Sequence, residues 1–361
     1  MKLQVFHTIN NANRISSVDI FRSIAIISVV LFHFNRTLPY GFLGVDLFFL
    51  ISGLLIGGQL TKEFESGVKI NFFKFFLQRG FKIWPSYYFF LLVGSLLAWL
   101  FYRKTDADQL IHFADLSRYL FFYQNYTGVP FHWSFDHVWS LCIEEHFYIL
   151  LPLMYLLLQN FVASKHQTKF LFLSVVLTIL TGIVFKYISF YYTKSHDTYS
   201  ATHNRIDALA WGVLLNLVIR YFPEKIKVGK NKMIAFLLGA FLFIAALIYS
   251  IKFEDILFNK IYFHSIMPFS FFLMLMGLYY YDFSRLKPLR VVAYYSYNWY
   301  LWHTVFVIVI TNYIGNTFIG LIVYIILTFA MAVFSTTFIE ETVLKKRNKF
   351  ISKIFKSANK E

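Results

Sequence analysis

Long apolar runs separated by short polar stretches dominate the chain. Ten of these runs approach the roughly 20 residues that a helix needs to cross a bilayer. Three runs, at 83–102, 233–251 and 316–339, contain no Asp, Glu, Lys, Arg or His. The other seven cover residues 19–37, 41–60, 138–159, 170–190, 205–222, 261–281 and 291–311. The pattern predicts an all-α polytopic membrane protein with about ten transmembrane helices.

The composition supports a membrane protein and excludes several other classes. Of the 361 residues, 58% are hydrophobic and only 15% are charged, whereas charged residues make up about 25% of ordinary soluble domains. A water-soluble fold of this size cannot hide so much apolar surface. The composition therefore excludes a soluble enzyme, a disordered protein and a conventional nucleic-acid binder. Membrane lipids are the expected surroundings, and no nucleic acid is expected as a partner.

The basic residues predict the orientation of the chain in the membrane. The formal net charge is +15. With the N-terminus inside, 24 of the 34 Lys and Arg residues fall on the cytoplasmic side. Because cytoplasmic loops carry an excess of Lys and Arg, both termini are expected in the cytoplasm. We expect a cytoplasmic N-terminal segment at 1–18, one transmembrane domain at 19–340 and a basic cytoplasmic tail at 341–361, in a multi-pass protein of the cell membrane.

Charged residues inside the first span point to chemistry, since a buried ionisable group is costly unless it is paired or faces a cavity. Arg22 and His33 are eleven positions apart, which places them on one helix face, roughly 16 Å apart along the axis. Arg22 should lie near the inner boundary and His33 in the outer half. Asp19, one turn before Arg22, could hold its guanidinium in place. His33 could alternatively be a core histidine bonded to a neighbouring helix.

Asp46 lies at the start of the second span, at a depth similar to that of His33. A carboxylate beside an imidazole fixes its tautomer and stabilises its charged form. Asp46 could equally cap the start of its helix. The sequence leaves these two roles open.

A basic pair precedes the third span. Arg79 and Lys82 lie one turn apart in RGFKIWP, at the predicted cytoplasmic mouth. Together with Arg22 they could bind a phosphate-bearing donor. Cytoplasmic cations also occur without any ligand, so the spacing alone does not decide between the two interpretations.

Further ionisable residues occur in three later spans. Glu144 shares a helix face with Tyr148. Among the consecutive residues Glu144, Glu145 and His146, Glu144 is therefore the better candidate for contacting a hydroxyl-bearing acceptor from the outer side. Arg205 and Asp207 point to nearly opposite sides of one span, so each is expected to pair with a different helix. His303 lies in the middle of the ninth span. Structural bridging is the first interpretation for Arg205, Asp207 and His303.

Taken together, these blocks resemble the integral-membrane acyltransferase 3 family. The shared blocks are Asp19, Arg22 and His33, followed by GVDLFFLISG, RGFKIWP, WSLCIEEHFY, RIDALAWG and YLWH. They stand in the family's order from residue 19 to residue 303. Lys82 replaces the second Arg of the family's basic pair, and His146 stands where Gln is usual. Each block alone is weak, but the ordered set is highly specific.

The resemblance implies an enzyme that moves an acyl group, acetyl or similarly short, from cytoplasmic acyl-coenzyme A to a hydroxyl of an extracytoplasmic or lipid-linked glycan, without a metal. The Arg and His of the family's first helix, which are regarded as essential, correspond to Arg22 and His33. The expected mechanism has Arg22, Arg79 and Lys82 on the coenzyme A phosphates. His33, oriented by Asp46, is the general base or acyl carrier, and Glu144 positions the acceptor. The supporting residues are Asp19, Arg205, Asp207 and His303.

A different function also fits the charged spans. Ten helices with intramembrane Asp, Glu, His and Arg would suit a proton-coupled transporter or a lipid-linked glycan flippase. Such transporters often contain two related halves with helices broken at matching positions. The sequence shows no such symmetry. Consumption of acyl-coenzyme A with release of free thiol distinguishes the two classes.

Overall fold

The computed structural model describes residues 14–102, 113–127, 135–193 and 198–357, and within these ranges it contains helices and no strand. The helices of the first half are α1 (Ser16–His33), α2 (Gly44–Glu65), α3 (Phe72–Tyr102), α4 (Phe113–Leu120), α5 (Trp139–Phe161) and α6 (Ser164–Tyr192). Those of the second half are α7 (Thr202–Tyr221), α8 (Pro223–Lys227), α9 (Gly229–Phe253), α10 (Phe263–Leu278), α11 (Lys287–Tyr313), α12 (Phe318–Phe334) and α13 (Glu341–Ser357).

Shorter helical segments connect several of these elements. Single 3₁₀ turns occupy Gly41–Leu43, Gln124–Tyr126 and Asp136–Val138. Two π-helical segments, Phe258–Tyr262 and Ser335–Glu340, lead into α10 and join α12 to α13.

Seven helical stretches in the described ranges are long and apolar enough to cross a membrane. They are Ser16–His33, Gly41–Glu65, Asp136–Phe161, Ser164–Tyr192, Gly229–Phe253, Phe258–Leu278 and Phe318–Phe355. The remaining predicted spans, 83–102, 205–222 and 291–311, coincide with α3, α7 and α11. Buried polar residues make α7 and α11 less apolar. The all-helical membrane fold is confirmed, whereas ten crossings and cytoplasmic termini stay predictions.

The outer surface of the helices suits a lipid environment. On α9, Leu237, Phe241, Ile244 and Ile248 are between 54% and 66% exposed. Contiguous exposed apolar side chains are rare on monomeric soluble proteins and mark a surface that another apolar phase covers. The exposed face of α9 is therefore the side that contacts lipid.

Two glycines allow α2 and α7 to pack with their backbones in close contact. A Cβ atom added at Gly53 would lie 1.9 Å from the carbonyl oxygen of Leu209, and one added at Gly212 would lie 2.0 Å from that of Leu50. Only glycine permits such a close approach of two backbones, which is a common way of packing helices in membranes. This contact fixes the middle of α2 against α7.

Two buried ion pairs hold α2, α6 and α7 together. Asp46 of α2 pairs with Arg205 of α7, and Lys186 Nζ of α6 lies 2.5 Å from Asp207 Oδ2 of α7. All four side chains have no solvent exposure. Arg205 and Asp207 each have a partner on a different helix, as their orientation on α7 predicts. Lys186 is a partner that sequence reasoning missed.

The glycine contact yields a first prediction. Gly53→Ala should destabilise the protein by about 1–3 kcal/mol, because the added methyl group forces two packed backbones apart. Thermal denaturation of the purified protein in detergent measures this effect. Gly229→Ala is the matched control, since no other atom lies within 4 Å of a Cβ at that position. Equal melting temperatures for Gly53→Ala and the wild type would contradict the tight contact.

The ion pairs yield a second prediction. Lys186→Met should cost about 3–5 kcal/mol, because it leaves Asp207 buried without its counter-ion. The double variant Lys186→Met with Asp207→Leu should recover most of this loss, since it removes both charges. Melting temperatures in detergent test the pattern, with Lys252→Met on the exposed end of α9 as the control. A single variant as stable as the wild type would show that the pair contributes little.

Candidate active site

A cavity of about 180 Å³ lies between α1, α2, α3, α5 and α11. Its charged lining residues are Arg22 of α1, Arg79 and Lys82 of α3, and Glu144 of α5. We call it the basic cavity. The structure thus brings together the three cations that the sequence places at one mouth of the membrane domain.

The three cations differ in their partners. Arg79 Nη2 donates to Gln59 Oε1, and Lys82 forms an ion pair with Glu340. Arg22 and Arg79 each have a buried Nε without a hydrogen-bond partner among the described residues. A buried donor without a partner is costly. The basic cavity therefore offers guanidinium donors to an anionic ligand.

The spacing of Asp19 and Arg22 suggests that Asp19 could hold the guanidinium of Arg22, but in the structure it does not. Arg14 Nε lies 2.8 and 2.9 Å from the two carboxylate oxygens of Asp19. Arg290 Nε of α11 donates to the same carboxylate at 3.1 Å. The spacing of Asp19 and Arg22 is compatible with a contact, but cations from other segments occupy the carboxylate. Asp19 therefore ties the start of α1 to α11.

Glu144 lines the basic cavity, although the sequence predicts that it contacts an acceptor from the outer side. The Tyr148 hydroxyl donates to Glu144 Oε2 at 2.9 Å, and Ser52 Oγ lies 3.2 Å from that hydroxyl. The spacing of Glu144 and Tyr148 identifies their shared face correctly. A helix face alone does not specify the cavity that it borders, so an acceptor contact of Glu144 from the outer side stays a prediction.

A larger cavity, of about 490 Å³, contains His33. Its walls come from α1, the turn before α2, the Asp136–Val138 turn, and the π-helical segment before α10. We call it the histidine cavity. Val45 and Tyr300 line both the basic cavity and the histidine cavity. These two side chains therefore form part of the wall of both cavities.

His33 contacts His303 of α11. His33 Nδ1 lies 3.0 Å from the Val29 carbonyl oxygen and 3.2 Å from His303 Nε2. His303 Nδ1 lies 2.6 Å from the Tyr300 carbonyl oxygen. A neutral imidazole that donates from Nδ1 accepts at Nε2, so the single His33 Nδ1–H has two acceptors, the Val29 carbonyl oxygen and His303 Nε2. This network assigns the lone pair of His33 to Nε2.

Asp46 does not orient His33, and its side chain does not cap α2. Its partner is Arg205, because the Gly53 contact packs α7 against α2. His303 takes the place beside His33 that the sequence offers to Asp46. His303, expected to bridge helices, is thus in direct contact with the candidate base.

His137 is a further residue of this site that sequence reasoning missed. Its ring centroid lies 4.8 Å from that of His303, and its Nδ1 lies 3.1 Å from Thr304 Oγ1. Its only signal in the sequence is its position two residues before the tryptophan of WSLCIEEHFY. Three imidazoles therefore meet at this end of α1. Among the residues that the structure describes, no group of three or more His, Cys, Asp or Glu has metal-binding geometry.

Comparison with known proteins identifies relatives. A family model described as an acyltransferase domain matches residues 15–340. O-acetyltransferase OatA of Staphylococcus aureus strain NCTC 8325 / PS 47 is 27% identical over 350 residues, covering 91% of this chain and 57% of OatA. The OatA proteins of strains COL and MRSA252 match to the same extent. No solved structure matches the chain.

The family match includes both cavities. Residues 15–340 contain Arg22, His33, Arg79, Glu144 and His303. The chain spans little more than half the length of the OatA proteins. Since the family model covers most of the chain, this protein belongs to the acyltransferase 3 family.

Proposed function

We propose that the protein transfers a short acyl group, acetyl in the first instance, from cytoplasmic acyl-coenzyme A to a hydroxyl of an extracytoplasmic or lipid-linked glycan. The observation that carries the proposal is that the basic cavity and the histidine cavity share Val45 and Tyr300 as wall residues. An anionic donor and a hydroxyl acceptor then approach one another from opposite sides. The name of the OatA relatives, O-acetyltransferase, supports the acetyl group and the oxygen acceptor.

The proposed orientation of the chain in the membrane follows from the distribution of Lys and Arg between its two sides. We place both termini in the cytoplasm and ten crossings between them, in the cell membrane. Cytoplasmic excess of Lys and Arg supports this arrangement. Arg22 near the start of α1 then lies towards the cytoplasm, and His33 at the end of α1 lies towards the outside. The basic cavity faces the compartment that contains acyl-coenzyme A.

Phosphate binding is the role proposed for Arg22, Arg79 and Lys82. The unpartnered Nε groups of the two arginines support this role, since phosphate oxygens accept charge-assisted hydrogen bonds from guanidinium groups. Lys82 would leave its ion pair with Glu340 and bind a phosphate group instead. Glu144 would balance part of the positive charge before the donor binds.

The proposed chemistry uses the free nitrogen of His33. His33 Nε2 accepts the proton of the acceptor hydroxyl as its oxygen attacks the thioester carbonyl carbon. The new C–O ester bond forms, the C–S bond breaks, and the coenzyme A thiolate takes the proton from His33. His303 accepts the hydrogen bond from His33 Nδ1–H and stabilises the imidazolium between these two steps. In the alternative route, His33 Nε2 attacks the thioester carbonyl carbon, the C–S bond breaks and the coenzyme A thiolate leaves. The acceptor oxygen then attacks the acyl-histidine, the C–N bond breaks as the C–O ester bond forms, and the hydroxyl proton passes to the thiolate.

The roles of the two histidines yield a third prediction. His33→Ala should reduce acetyl transfer about 10²–10⁴-fold, the usual contribution of a general base. His303→Leu should lower kcat about tenfold, because it removes a hydrogen-bond acceptor. His303→Gln should retain much of kcat, because its amide oxygen accepts the same hydrogen bond. Free thiol and ester formation by the purified protein measure these rates.

Separate measurement of kcat and KM distinguishes a positioning role of His303 from a general loss of folded structure. The KM for acetyl-coenzyme A should stay the same in both His303 variants, because His303 does not line the basic cavity. Equal rates for His303→Leu and His303→Gln would contradict the positioning role. Normal transfer by His33→Ala at normal expression would remove the core of the mechanism, and wild-type protein that releases no thiol would favour the transporter function.

The proposed phosphate contacts yield a fourth prediction. S-acetylpantetheine carries the thioester but lacks the phosphates of coenzyme A, so wild-type protein should use it with a much higher KM. Arg79→Gln with Lys82→Met should raise the KM for acetyl-coenzyme A by about 10–100-fold, the range expected for lost charged hydrogen bonds. The same variant should use S-acetylpantetheine as the wild type does. Lys69→Met, an exposed cation outside the cavity, is the control, and an unchanged preference for acetyl-coenzyme A would contradict the role.

A further inference from the structure

We infer that the histidine cavity is a subsite for one neutral sugar ring of the acceptor. This inference rests on the proposed function and adds the chemical class that the cavity recognises. It is argued from unpartnered polar atoms, aromatic walls and the balance of charge, all of which lie outside the residues proposed to bind the donor.

Three buried polar atoms of different elements lack a partner and line this one cavity. They are Asn259 Oδ1 of the π-helical segment, His264 Nδ1 of α10 and His137 Nε2 of the Asp136–Val138 turn. None has a hydrogen-bond partner in the described part of the chain. His264 and His137 are only 8% and 3% exposed. Because buried polar groups in native proteins are normally satisfied, these atoms indicate a ligand with several hydroxyl or amide groups.

Aromatic rings supply the other surface that a sugar requires. The Trp139 and Tyr199 rings have centroids 4.7 Å apart, and Tyr199 lies 4.9 Å from His264. Phe42 extends this wall, 6.1 Å from Tyr199. The C–H faces of a pyranose pack on aromatic rings while its hydroxyl groups point to the rim. A flexible aliphatic alcohol would leave the three polar atoms without partners.

Size and charge narrow the ligand further. A volume of about 490 Å³ is within the usual range of about 300–1,000 Å³ for small-molecule sites. The exposed residues Lys260 and Asp136 contribute one positive and one negative charge to the lining. Arg205, whose guanidinium lies over the Tyr199 ring at 4.9 Å, is paired with Asp46. The cavity has no uncompensated charge from these groups, which favours a neutral hexose or N-acetylhexosamine over a uronic acid.

The reacting hydroxyl is the one that reaches His33 in the same cavity. Its oxygen forms the ester bond, the thioester C–S bond breaks, and its proton passes through His33 Nε2 to the coenzyme A thiolate. The other ring substituents bind Asn259, His264 and His137. These contacts fix which hydroxyl of the sugar lies beside His33.

The experiment uses the full chain in nanodiscs, where both faces are accessible. Acetyl-coenzyme A is supplied with the methyl glycoside of N-acetylglucosamine, glucose or glucuronic acid, or with butan-1-ol. Free thiol and acetyl ester are measured for the wild type, Asn259→Ala and His264→Leu. Tyr192→Ala, on the exposed end of α6, is the control. Asn259 is half-buried, so its variant should fold even where the His264 variant does not.

We expect the neutral glycosides to accelerate thiol release more than butan-1-ol or the glucuronide does. The KM for the glycoside should rise about tenfold in each cavity variant, the loss expected for one hydrogen bond, and the KM for acetyl-coenzyme A should not rise with it. Equal acceleration by butan-1-ol, stronger acceleration by the glucuronide, or a glycoside KM in Asn259→Ala equal to that of the wild type would overturn the inference alone. Absence of thiol release with every acceptor would overturn the proposed function, and the inference with it.

Discussion

The free-energy cost of placing an ionisable side chain in the hydrocarbon core organises this protein. Such a group must be paired or face a cavity. Asp46 is paired with Arg205, and Lys186 is paired with Asp207. These two ion pairs join three helices. Arg22 instead faces a cavity: it lines the basic cavity, and its Nε has no hydrogen-bond partner among the described residues. Pairing thus separates the charges that hold the fold from those available to a ligand.

The sequence predicted the helices well because bilayer thickness sets the length of an apolar run. It also predicted that three cations would meet, because the distribution of Lys and Arg places all three at the same predicted mouth of the membrane domain. It could not predict partners, because spacing along one helix does not reveal the helix opposite. Asp19 is one turn from Arg22 yet binds Arg14 and Arg290, and His303, not Asp46, contacts His33.

The wall that the two cavities share is the place where the proposed acyl transfer occurs. The proposed donor is large and anionic, so it stays on the side where the cations lie. Only the thioester end must pass Val45 and Tyr300 to reach His33. The glycine contact between α2 and α7 fixes Val45 in place, since a shift of α2 would move this wall. Fold stability and the proposed transfer therefore depend on the same helix pair.

The most direct test is to separate donor and acceptor by the membrane. Proteoliposomes of one orientation are loaded with the methyl glycoside of N-acetylglucosamine, and acetyl-coenzyme A with a radiolabelled acetyl group is added on the side of the basic cavity. The account predicts labelled ester inside the vesicles, free coenzyme A outside, and no ester with His33→Ala. Ester formed only when donor and acceptor share one side, or luminal ester at the wild-type level with His33→Ala, would contradict it.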